Sequence, residues 1–395
     1  MRTELYTTLI GGIDVENLVS LLKAMISIRS ENPFDEEPRD GFREKEIAEY
    51  FLGRMECLGL EVSSRDVRPG RPNVFGLRKG VGNGPTLMLG GHLDTATTDN
   101  YPDAYEMKVE DGKVFGRGSC DMKAALASYL EVVRIIKEAD LKLRGDLIVA
   151  GIVDEEFQML GSKDIGANGP RADQGIIGEP SEMTICPANK GCVRAIIRTF
   201  GKAAHSSVPE QGDNAIMRMV KVLEAFSTYN EELLQREPHG LCGHGRFNPG
   251  VIRAGVQVNI VPDRCDLEID RRTLPGETKE QVYAEWGKRL EHMVQDDPSF
   301  RYEITDPTWL IPPNDISPEE PVVLSLLRAY DEVMGHRTQP LCWAAGTDAP
   351  HMGFPTVICG PGSISQAHTT REFVAVEQLV LAVKMYLWTI LDLLG

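Results

Sequence analysis

The stretch LIVAGIVDEEF, residues 147–157, runs from an apolar segment directly into a cluster of acids. The apolar part is rich in β-branched residues, which predicts a buried β-strand. Three carboxylates then follow one another, Asp154, Glu155 and Glu156. Like charges at the edge of an apolar core repel each other and are poorly solvated, so we expect a further group there that compensates them.

Similar strands alternate with amphipathic helices on both sides of this stretch. TLMLGGHLD (86–94) and QGIIGEPS (174–181) have the apolar character of short buried strands. Between them, DMKAALASYLEVVRII (121–136) has the apolar spacing of a helix. This alternation predicts an α/β fold with a mixed or largely parallel sheet.

The pattern changes at about Gly191, where the predicted elements follow the order β-α-β-β-α-β. Within this segment, GVIRAGVQVNI (250–260) and RCDLEIDRRTL (264–274) are predicted as paired strands. The preceding helix, NAIMRMVKVLEAF (214–226), is predicted to face the core with Ile216, Val220, Leu223 and Phe226. The order is that of a ferredoxin-like domain. We therefore predict an inserted domain at residues 189–305, within a domain formed by residues 1–188 and 306–395.

The composition narrows the class of protein. A chain of 395 residues is long enough for two domains or one large α/β domain. Its formal net charge of −17 argues against nucleic acid or an anionic membrane as a partner. The cysteines are scattered without CxxC spacing, which argues against a thiolate metal site and favours a reducing cytoplasm. We expect neither a signal peptide nor a membrane span.

Acidic and imidazole side chains recur at predicted strand-to-loop and loop-to-helix junctions. Besides the acid cluster, these residues are His92, Asp94, Asp121, Glu179 and His368. Because the carboxyl ends of strands in an α/β sheet meet at one crevice, we expect these groups to lie close together. Two histidines and three carboxylates suit two divalent, zinc-like cations with one bridging carboxylate.

Two such cations would also make the acid cluster tolerable. They would lower the pKa of a ligating carboxylate and offset its desolvation. Alternation along a strand would turn Glu156 or Glu155 toward the metals and leave its neighbour facing the substrate as a general base. Each feature taken alone also has a structural interpretation, as a loop histidine with a turn aspartate, a helix N-cap or a solvated acidic turn.

Seven segments extend these observations through both predicted domains. They are GGHLDT, GRGSCDMKAALA, VDEE, GEPS, GKAAHSSVPEQGDNAI, EIDRRTLPGE and GPGSISQAH. In this order they resemble the dinuclear zinc amidohydrolase and peptidase family, which contains acetylornithine deacetylase, succinyl-diaminopimelate desuccinylase, aminoacylase and glutamate carboxypeptidase. The resemblance extends from about residue 15 to the C-terminus.

The resemblance implies a role for each matching residue of the predicted crevice. The ligands of two metal ions would be His92, Asp121, Glu156, Glu179 and His368. Asp121 would bridge the two ions, and Asp94 would orient the imidazole of His92. Glu155 would be the general base. Zinc is the expected metal, with cobalt or manganese as alternatives.

The predicted inserted domain is similar to the lid and dimerisation domain of that family, which implies a homodimer. His205 would reach the active site of a second subunit and stabilise the oxyanion; without the resemblance it would be interpreted as a surface-loop histidine. Arg272 would hold a substrate carboxylate through two hydrogen bonds. Further candidate substrate-binding residues are Asn259, Thr347 and Asp348.

One departure from the family pattern concerns TTREF, residues 369–373, where Arg371 stands at a usually acidic position. The extra positive charge would favour an anionic acyl group or a carboxylated substrate. Alternatively, Arg371 would face solvent at the start of a helix. The departure leaves the substrate open but not the chemistry.

These residues favour a metal-dependent hydrolase that cleaves the amide bond of an N-acyl amino acid by attack of a metal-bound hydroxide, most similar to acetylornithine deacetylase. The alternatives within the family are a succinyl-diaminopimelate desuccinylase, a dipeptidase or a carboxypeptidase. A third hypothesis is a binding protein that has lost catalysis. Such a protein is expected to lack a ligand or the base, and here all of them are present.

Overall fold

The structure, a computed structural model, describes residues 2–34 and 44–395. Contacts within the chain divide it into two compact units. Unit 1 consists of the residues up to Pro187 together with Ile316–Trp343 and Thr347–Gly395, and unit 2 consists of Ala188–Asp315 with Ala344–Gly346. Unit 2 extends to Asp315, beyond residue 305, because short strands at 309–311 and 314–315 pair with strands of the same unit.

Helices and strands alternate along much of the described chain. The α-helices are Arg2–Ile10 (α1), Val15–Ser27 (α2), Lys45–Cys57 (α3), Lys123–Glu138 (α4), Leu160–Asn168 (α5), Ala215–Phe226 (α6), Tyr229–Leu234 (α7), Lys279–Asp296 (α8), Pro321–Met334 (α9) and Val376–Leu394 (α10). The strands are Glu61–Arg68 (β1), Arg71–Arg78 (β2), Leu87–His92 (β3), Lys108–Glu110 (β4), Lys113–Phe115 (β5), Leu147–Ile152 (β6), Gln174–Ile177 (β7), Ala188–Asn189 (β8), Gly191–Phe200 (β9), Arg246–Ala254 (β10), Arg264–Thr273 (β11), Arg301–Ile304 (β12), Trp309–Ile311 (β13), Asn314–Asp315 (β14), Cys342–Trp343 (β15), Thr356–Ile358 (β16) and Phe373–Ala375 (β17). None of the helices in residues 2–34 and 44–395 is both long and apolar enough to cross a membrane.

Unit 1 is built on a mixed six-stranded sheet in the order β1-β2-β6-β3-β7-β16. β6, β3, β7 and β16 are parallel neighbours. β2 runs antiparallel to both of its neighbours, β6 and β1. β3 and β6 are buried over their whole length, as expected for apolar parallel strands covered by helices. The mixed α/β fold class predicted from the sequence is confirmed.

The order of the central strands brings three of the candidate segments together. β3 ends at His92, β6 ends at Ile152 shortly before the acid cluster, and β7 ends at Ile177 shortly before Glu179. The three strands are parallel neighbours, with β3 hydrogen-bonded to both β6 and β7. Their carboxyl ends therefore lie along one edge of the sheet, which is where ligands bind in α/β folds.

Unit 2 contains an antiparallel sheet in the order β10-β11-β9-β12, with β13 also paired to β9. One face of the sheet, including Val193, Ile197 and Ile269, packs against apolar residues of α6 and α8. The chain order β9-α6-β10-β11-α8-β12, with α7 added after α6, is the predicted β-α-β-β-α-β order. The opposite face of the sheet carries charged side chains such as Arg194 and Asp270, which form an ion pair.

Two local predictions in unit 2 were wrong in part. The predicted core residues Leu223 and Phe226 of α6 pack into the core together with Ala215, Met219 and Val222, whereas Ile216 and Val220 are each 39% exposed. Apolar side chains occupy most of the helix surface, so more than one face satisfies the helical period. β10 spans residues 246–254 rather than 250–260, and the residues after Gly255 leave the sheet.

Candidate metal centre

His92, the last residue of β3, is almost fully buried and fixed by both ring nitrogens. Its Nδ1 lies 2.9 Å from the main-chain oxygen of Asp94, and its Nε2 lies 2.9 Å from Oδ1 of Asp121. Because a carbonyl oxygen only accepts hydrogen bonds, Nδ1 donates to Asp94, which directs Nε2 toward Asp121. The carboxylate of Asp94 is farther away, 3.7 Å from Nδ1, so the main chain rather than the side chain of Asp94 orients the imidazole.

The structure brings the five candidate ligands together in two groups that share one residue. His92, Asp121 and Glu179 form the first group, and Asp121, Glu156 and His368 form the second. Within each group one ligand atom per residue lies within 4.8 Å of the others. Nε2 of His368 is 3.0 Å from Glu156 and 3.4 Å from Asp121. The two oxygens of Asp121 thus face different histidines, as a bridging carboxylate would.

The carboxylate of Asp94 holds the acid cluster from below. It accepts hydrogen bonds from the main-chain nitrogens of Glu155 at 3.1 Å and Glu156 at 3.0 Å. Because β6 ends at Ile152, both glutamates lie in a turn, and strand alternation, the expected cause of their different directions, does not apply. Their separation arises from the turn and from the bonds to Asp94.

Beneath this turn lies a buried ionic network that the sequence did not reveal. Arg71 binds Asp154 at 2.7 Å and forms two hydrogen bonds with Glu44. Nδ2 of Asn32 donates to Asp94 at 2.8 Å and to Asp154 at 3.1 Å. Asp154 has a φ of 70°, in the left-handed region, and its carboxylate also accepts from main-chain nitrogens of the turn. Asp154 therefore anchors the turn to the rest of unit 1.

Asp121 is held by a second acid, Glu372, which directly follows Arg371 and was not among the predicted site residues. Glu372 is fully buried and accepts hydrogen bonds from the main-chain nitrogens of Cys120 and Asp121 at 2.8 and 3.0 Å. Its other oxygen forms an ion pair with Arg117 at 2.7 Å. Arg371 is exposed and precedes β17, so it does not begin a helix. The acid of this segment is Glu372.

Asp121 also does not have the structural role that its position suggested. The helix α4 begins after it, with Met122 at the N-cap position and no side-chain cap. Its carboxylate is directed instead toward His92 and His368. Burial would raise the pKa of Asp121, but the hydrogen bonds to His368 and His92 outweigh this and lower it. Hydrogen bonds to Asp121 and Glu156 raise the pKa of His368 to about 10.

Burial disfavours the charged forms of three further acids of the site, Glu155, Glu179 and Asp348. Burial raises the pKa of Glu155 well above its ordinary value, and the charge of Glu179 adds to the effect. Burial likewise raises the pKa of Glu179 to about 8, although Thr347 donates a hydrogen bond to it at 3.1 Å. Thr347 and Asp348 are both fully buried, and burial raises the pKa of Asp348 to about 7.

These residues fit a pair of divalent cations. Oε1 of Glu156, a member of the second group, is buried and lacks a hydrogen-bond partner within the described ranges. Unpaired buried carboxylate oxygens are costly unless a cation compensates them. The ligand sets, one imidazole and two carboxylates around each position with Asp121 shared, combine the nitrogen and oxygen ligands that zinc and related metals accept.

The other candidate residues belong to unit 2. His205 and Asn259 are exposed and lie on adjoining segments, because Ser206 donates a main-chain hydrogen bond to Asn259 at 3.0 Å. Nδ1 of His205 is 2.7 Å from the hydroxyl of Ser207. Arg272 lies on β11 with 32% of its side chain exposed and binds Asp270 at 2.9 Å. Its neighbour Arg271 is fully buried on the opposite face of the strand, as expected from alternation.

Comparison with known proteins identifies relatives over nearly the whole chain. A family model described as peptidase family M20/M25/M40 matches residues 88–392. An acetylornithine deacetylase of Vibrio vulnificus (strain CMCP6) is 31% identical, covering 89% of this chain and 91% of the relative. An N-formyl-4-amino-5-aminomethyl-2-methylpyrimidine deformylase of Bacillus subtilis (strain 168) is 29% identical, covering 94% and 93%.

Solved structures share the fold of this chain at lower identity. The aminopeptidase PepT of Bacillus cereus ATCC 10987 superposes with a TM-score of 0.79 at 23% identity, covering 96% of this chain and 99% of that one. The metallo-carboxypeptidase Sso-CP2 of Sulfolobus solfataricus gives a TM-score of 0.76 at 18% identity, covering 95% and 98%.

Proposed function

The chain belongs to peptidase family M20/M25/M40, whose members are metal-dependent hydrolases of amide bonds, and from this premise we propose that it removes the acyl group of an N-acyl amino acid, as acetylornithine deacetylase does. The observation that carries the proposal is the pair of ligand groups sharing Asp121, with Glu155 beside them. Relatives at about 30% identity that are acetylornithine deacetylases support this substrate class.

In this proposal His92 and Glu179 would hold one zinc ion, Glu156 and His368 would hold the other, and Asp121 would be a ligand of both. Cobalt or manganese are alternative occupants. When bound, such a pair of ions lowers the pKa of water and polarises the amide carbonyl as a Lewis acid. Asp94 keeps the nitrogens of Glu155 and Glu156 in place, and the main-chain oxygen of Asp94 fixes the ring of His92.

Glu155 is the residue proposed to move the proton. Its carboxylate is half-buried, and burial raises its pKa, which makes it a better proton acceptor than an exposed glutamate. It takes a proton from the attacking water and later gives it to the leaving amine. The tetrahedral oxyanion formed between these steps needs a hydrogen-bond donor, and His205 of a second subunit is proposed for that position.

Substrate recognition is proposed to use Arg272, whose planar guanidinium can bind a carboxylate through two hydrogen bonds. Asn259 is proposed as a polar contact. Thr347 and Asp348 were candidates for the same role, but their complete burial and the bond from Thr347 to Glu179 favour support of the metal ligands.

A homodimer formed through unit 2 is part of the proposal. Unit 2 exposes Val256 and Val258 by 85% and 100%, and Met217 by 61%. Exposed apolar side chains grouped on one unit are typical of a protein–protein interface. A molar mass of one chain in light scattering at all concentrations would contradict the dimer.

Hydrolysis of a substrate panel tests the proposed function. The protein is stripped of metal, reloaded with zinc, cobalt or manganese, and assayed on N-acetyl-L-ornithine, N-succinyl-L,L-diaminopimelate, an N-formyl amine and a set of dipeptides. We expect the fastest turnover on N-acyl amino acids, with activity lost on chelation and restored by metal. Activity that survives complete metal removal would refute the proposal, and so would inactivity of every metal-loaded form on every amide.

A further inference from the structure

The charged face of the unit 2 sheet contains an excess of cations at one end. Arg246 on β10 and Arg272 on β11 are direct cross-strand partners. Side chains at such positions have Cβ atoms only about 4.5–5.5 Å apart, and like charges there are destabilising. β11 also pairs with β9, where Arg272 is opposite Cys192, and Lys190 lies two residues before Cys192, immediately ahead of β9. Three cationic side chains thus share one corner of the sheet.

Two of these cations lack a carboxylate partner. The ammonium of Lys190 donates to the main-chain oxygen of His244 at 2.8 Å, and the guanidinium of Arg246 donates to the oxygen of Gly245 at 3.0 Å. The two groups therefore bind consecutive carbonyls of one segment. Among the residues that the structure describes, neither forms an ion pair. Nδ1 of His244, which lies in the same segment, is buried without a hydrogen-bond partner.

The carboxylates of this region are already engaged. Asp270 binds both Arg194 at 2.7 Å and Arg272 at 2.9 Å. Glu277 binds the buried Arg271. Burial and the charges of Arg246, Arg271 and Arg272 together lower the pKa of Lys190, which shows that these positive charges act on one another. A bound anion would relieve this repulsion.

We propose that Lys190, Arg246 and Arg272 form a subsite for a substrate with two carboxylates. The proposal rests on the proposed function, in which Arg272 binds one carboxylate of the N-acyl amino acid. Lys190 and Arg246 then bind a second carboxylate, carried either by a dicarboxylic acyl group or by an acidic amino acid. The guanidinium of Arg246 forms paired hydrogen bonds to a carboxylate, and the ammonium of Lys190 contributes a point charge.

Arg246→Ala is the test, with Arg253→Ala as the matched control. Arg253 lies on the same strand and is 68% exposed, but it is paired with Glu268. The metal-loaded proteins are assayed on N-acetyl-L-glutamate and N-succinyl-L-ornithine, which carry two carboxylates, and on N-acetyl-L-ornithine and N-acetyl-L-leucine, which carry one. Loss of a charged hydrogen-bond pair is expected to lower kcat/KM on the first two by about 10–100-fold, mainly through KM. On the other two substrates the change is expected to stay within about 2-fold, as for Arg253→Ala on all four.

Equal losses on both substrate classes, or no loss on either, would overturn the subsite and leave the proposed function intact. Calorimetric binding of glutarate to the metal-loaded protein decides the matter even if no amide is hydrolysed. Glutarate is expected to bind the native chain and the Arg253→Ala variant equally well, and the Arg246→Ala variant about 10-fold more weakly or worse. Equal binding to all three proteins would contradict the proposal, as would preference for inorganic phosphate over glutarate.

Discussion

The ends of β3, β6 and β7 in unit 1 and the corner of the sheet in unit 2 have opposite excesses of charge. The unit 1 site collects Asp121, Glu156 and Glu179 around two imidazoles, in surroundings that are mostly buried. The unit 2 corner groups Lys190, Arg246 and Arg272, and among the described residues only Arg272 of these three has a carboxylate partner, Asp270. The unit 1 site has more carboxylates than the cationic side chains near it can neutralise, and the unit 2 corner has more cations than carboxylates.

The depth of burial separates the two regions. Electrostatic interactions are several times stronger in a protein interior than near the surface, and surface charges are screened by salt. Unit 1 surrounds part of its excess charge with fixed partners, because Asp94, Glu372 and the network around Arg71 hold the segments that carry Asp121 and Glu156. Within residues 2–34 and 44–395, the side chain of Arg246 in unit 2 has a single hydrogen bond, to the carbonyl of Gly245. The ligands of a metal site need to be held in place before the metal binds, whereas the side chains of a surface subsite can take up their positions when the ligand binds.

The largest effect is expected from Glu155→Ala compared with Glu156→Ala. The first variant should keep both metal ions and lose about 10²–10⁴-fold in kcat, the usual contribution of general acid–base catalysis. The second should lose metal, because Glu156 is a member of the second ligand group, whereas Glu155 belongs to neither group. Metal content by mass spectrometry, measured beside kcat, distinguishes the two. Substantial turnover in Glu155→Ala, or loss of metal from it, would remove Glu155 from the role of base.

Arg71→Met tests whether the network beneath the site is fixed by charge. The substitution leaves the carboxylates of Glu44 and Asp154 buried without their cation, which typically costs about 3–5 kcal/mol. The comparable substitution Arg253→Met breaks an exposed pair with Glu268 and should cost less than about 1 kcal/mol. Urea unfolding of both variants gives the free energies of unfolding. Similar losses in the two variants would show that burial does not distinguish the regions.

Asp348→Asn tests the acid excess through pH. The pKa of Asp348 is raised from 3.8 to about 7 in the folded protein, so the folded state keeps a proton that the unfolded state has lost. Its contribution to stability therefore falls as pH rises from about 4 to about 7. Asparagine cannot ionise, and the metal-free variant should gain Tm relative to the native chain, more at pH 8 than at pH 5.5. A gain of about 1 kcal/mol corresponds to about 2–4 °C in a domain of about 150–250 residues.

The control for this experiment is Asp99→Asn, at an exposed position, which should change Tm equally at both pH values. Added zinc should reduce the advantage of Asp348→Asn, because bound cations compensate the native carboxylate. A Tm difference between Asp348→Asn and the native chain that is the same at pH 5.5 and pH 8 would show that folding does not raise the pKa of Asp348.

The convergence of the candidate ligands could be predicted because it follows from a general property of parallel sheets. His92 and Glu179 come directly after apolar strands, and such strand ends share one edge once the strands are neighbours. The order of the strands was not needed for that expectation. The position of Glu156 followed from the same rule, although the reason given for its direction was wrong, because it lies in a turn rather than in β6.

The supporting residues could not be predicted, because nothing local distinguishes them. Asn32 and Arg71 act on residues 62 to 122 positions away, and only the folded sheet brings them to Asp94 and Asp154. The inward face of α6 was misassigned for a different reason. Its sequence has apolar residues on several sides, so periodicity alone did not separate the buried Met219 from the exposed Val220.

The smallest effect, and the one most specific to the unit 2 corner, is expected from salt. Arg246 is exposed, and the distance over which its charge acts falls from about 10 Å at 0.1 M salt to about 3 Å at 1 M. Between 0.05 and 0.5 M potassium chloride, kcat/KM on N-acetyl-L-glutamate should fall by about 3–10-fold in the native chain, whereas N-acetyl-L-leucine should change less than about 2-fold. In Arg246→Ala the two substrates should respond alike, because the second carboxylate has then lost its exposed partner. Metal content should stay constant over the same range, since four of the five proposed ligands are buried or half-buried and only His368 is exposed. An unchanged difference between the two substrates in Arg246→Ala would show that cations other than Arg246 cause the salt effect and would remove Arg246 from binding of the second carboxylate.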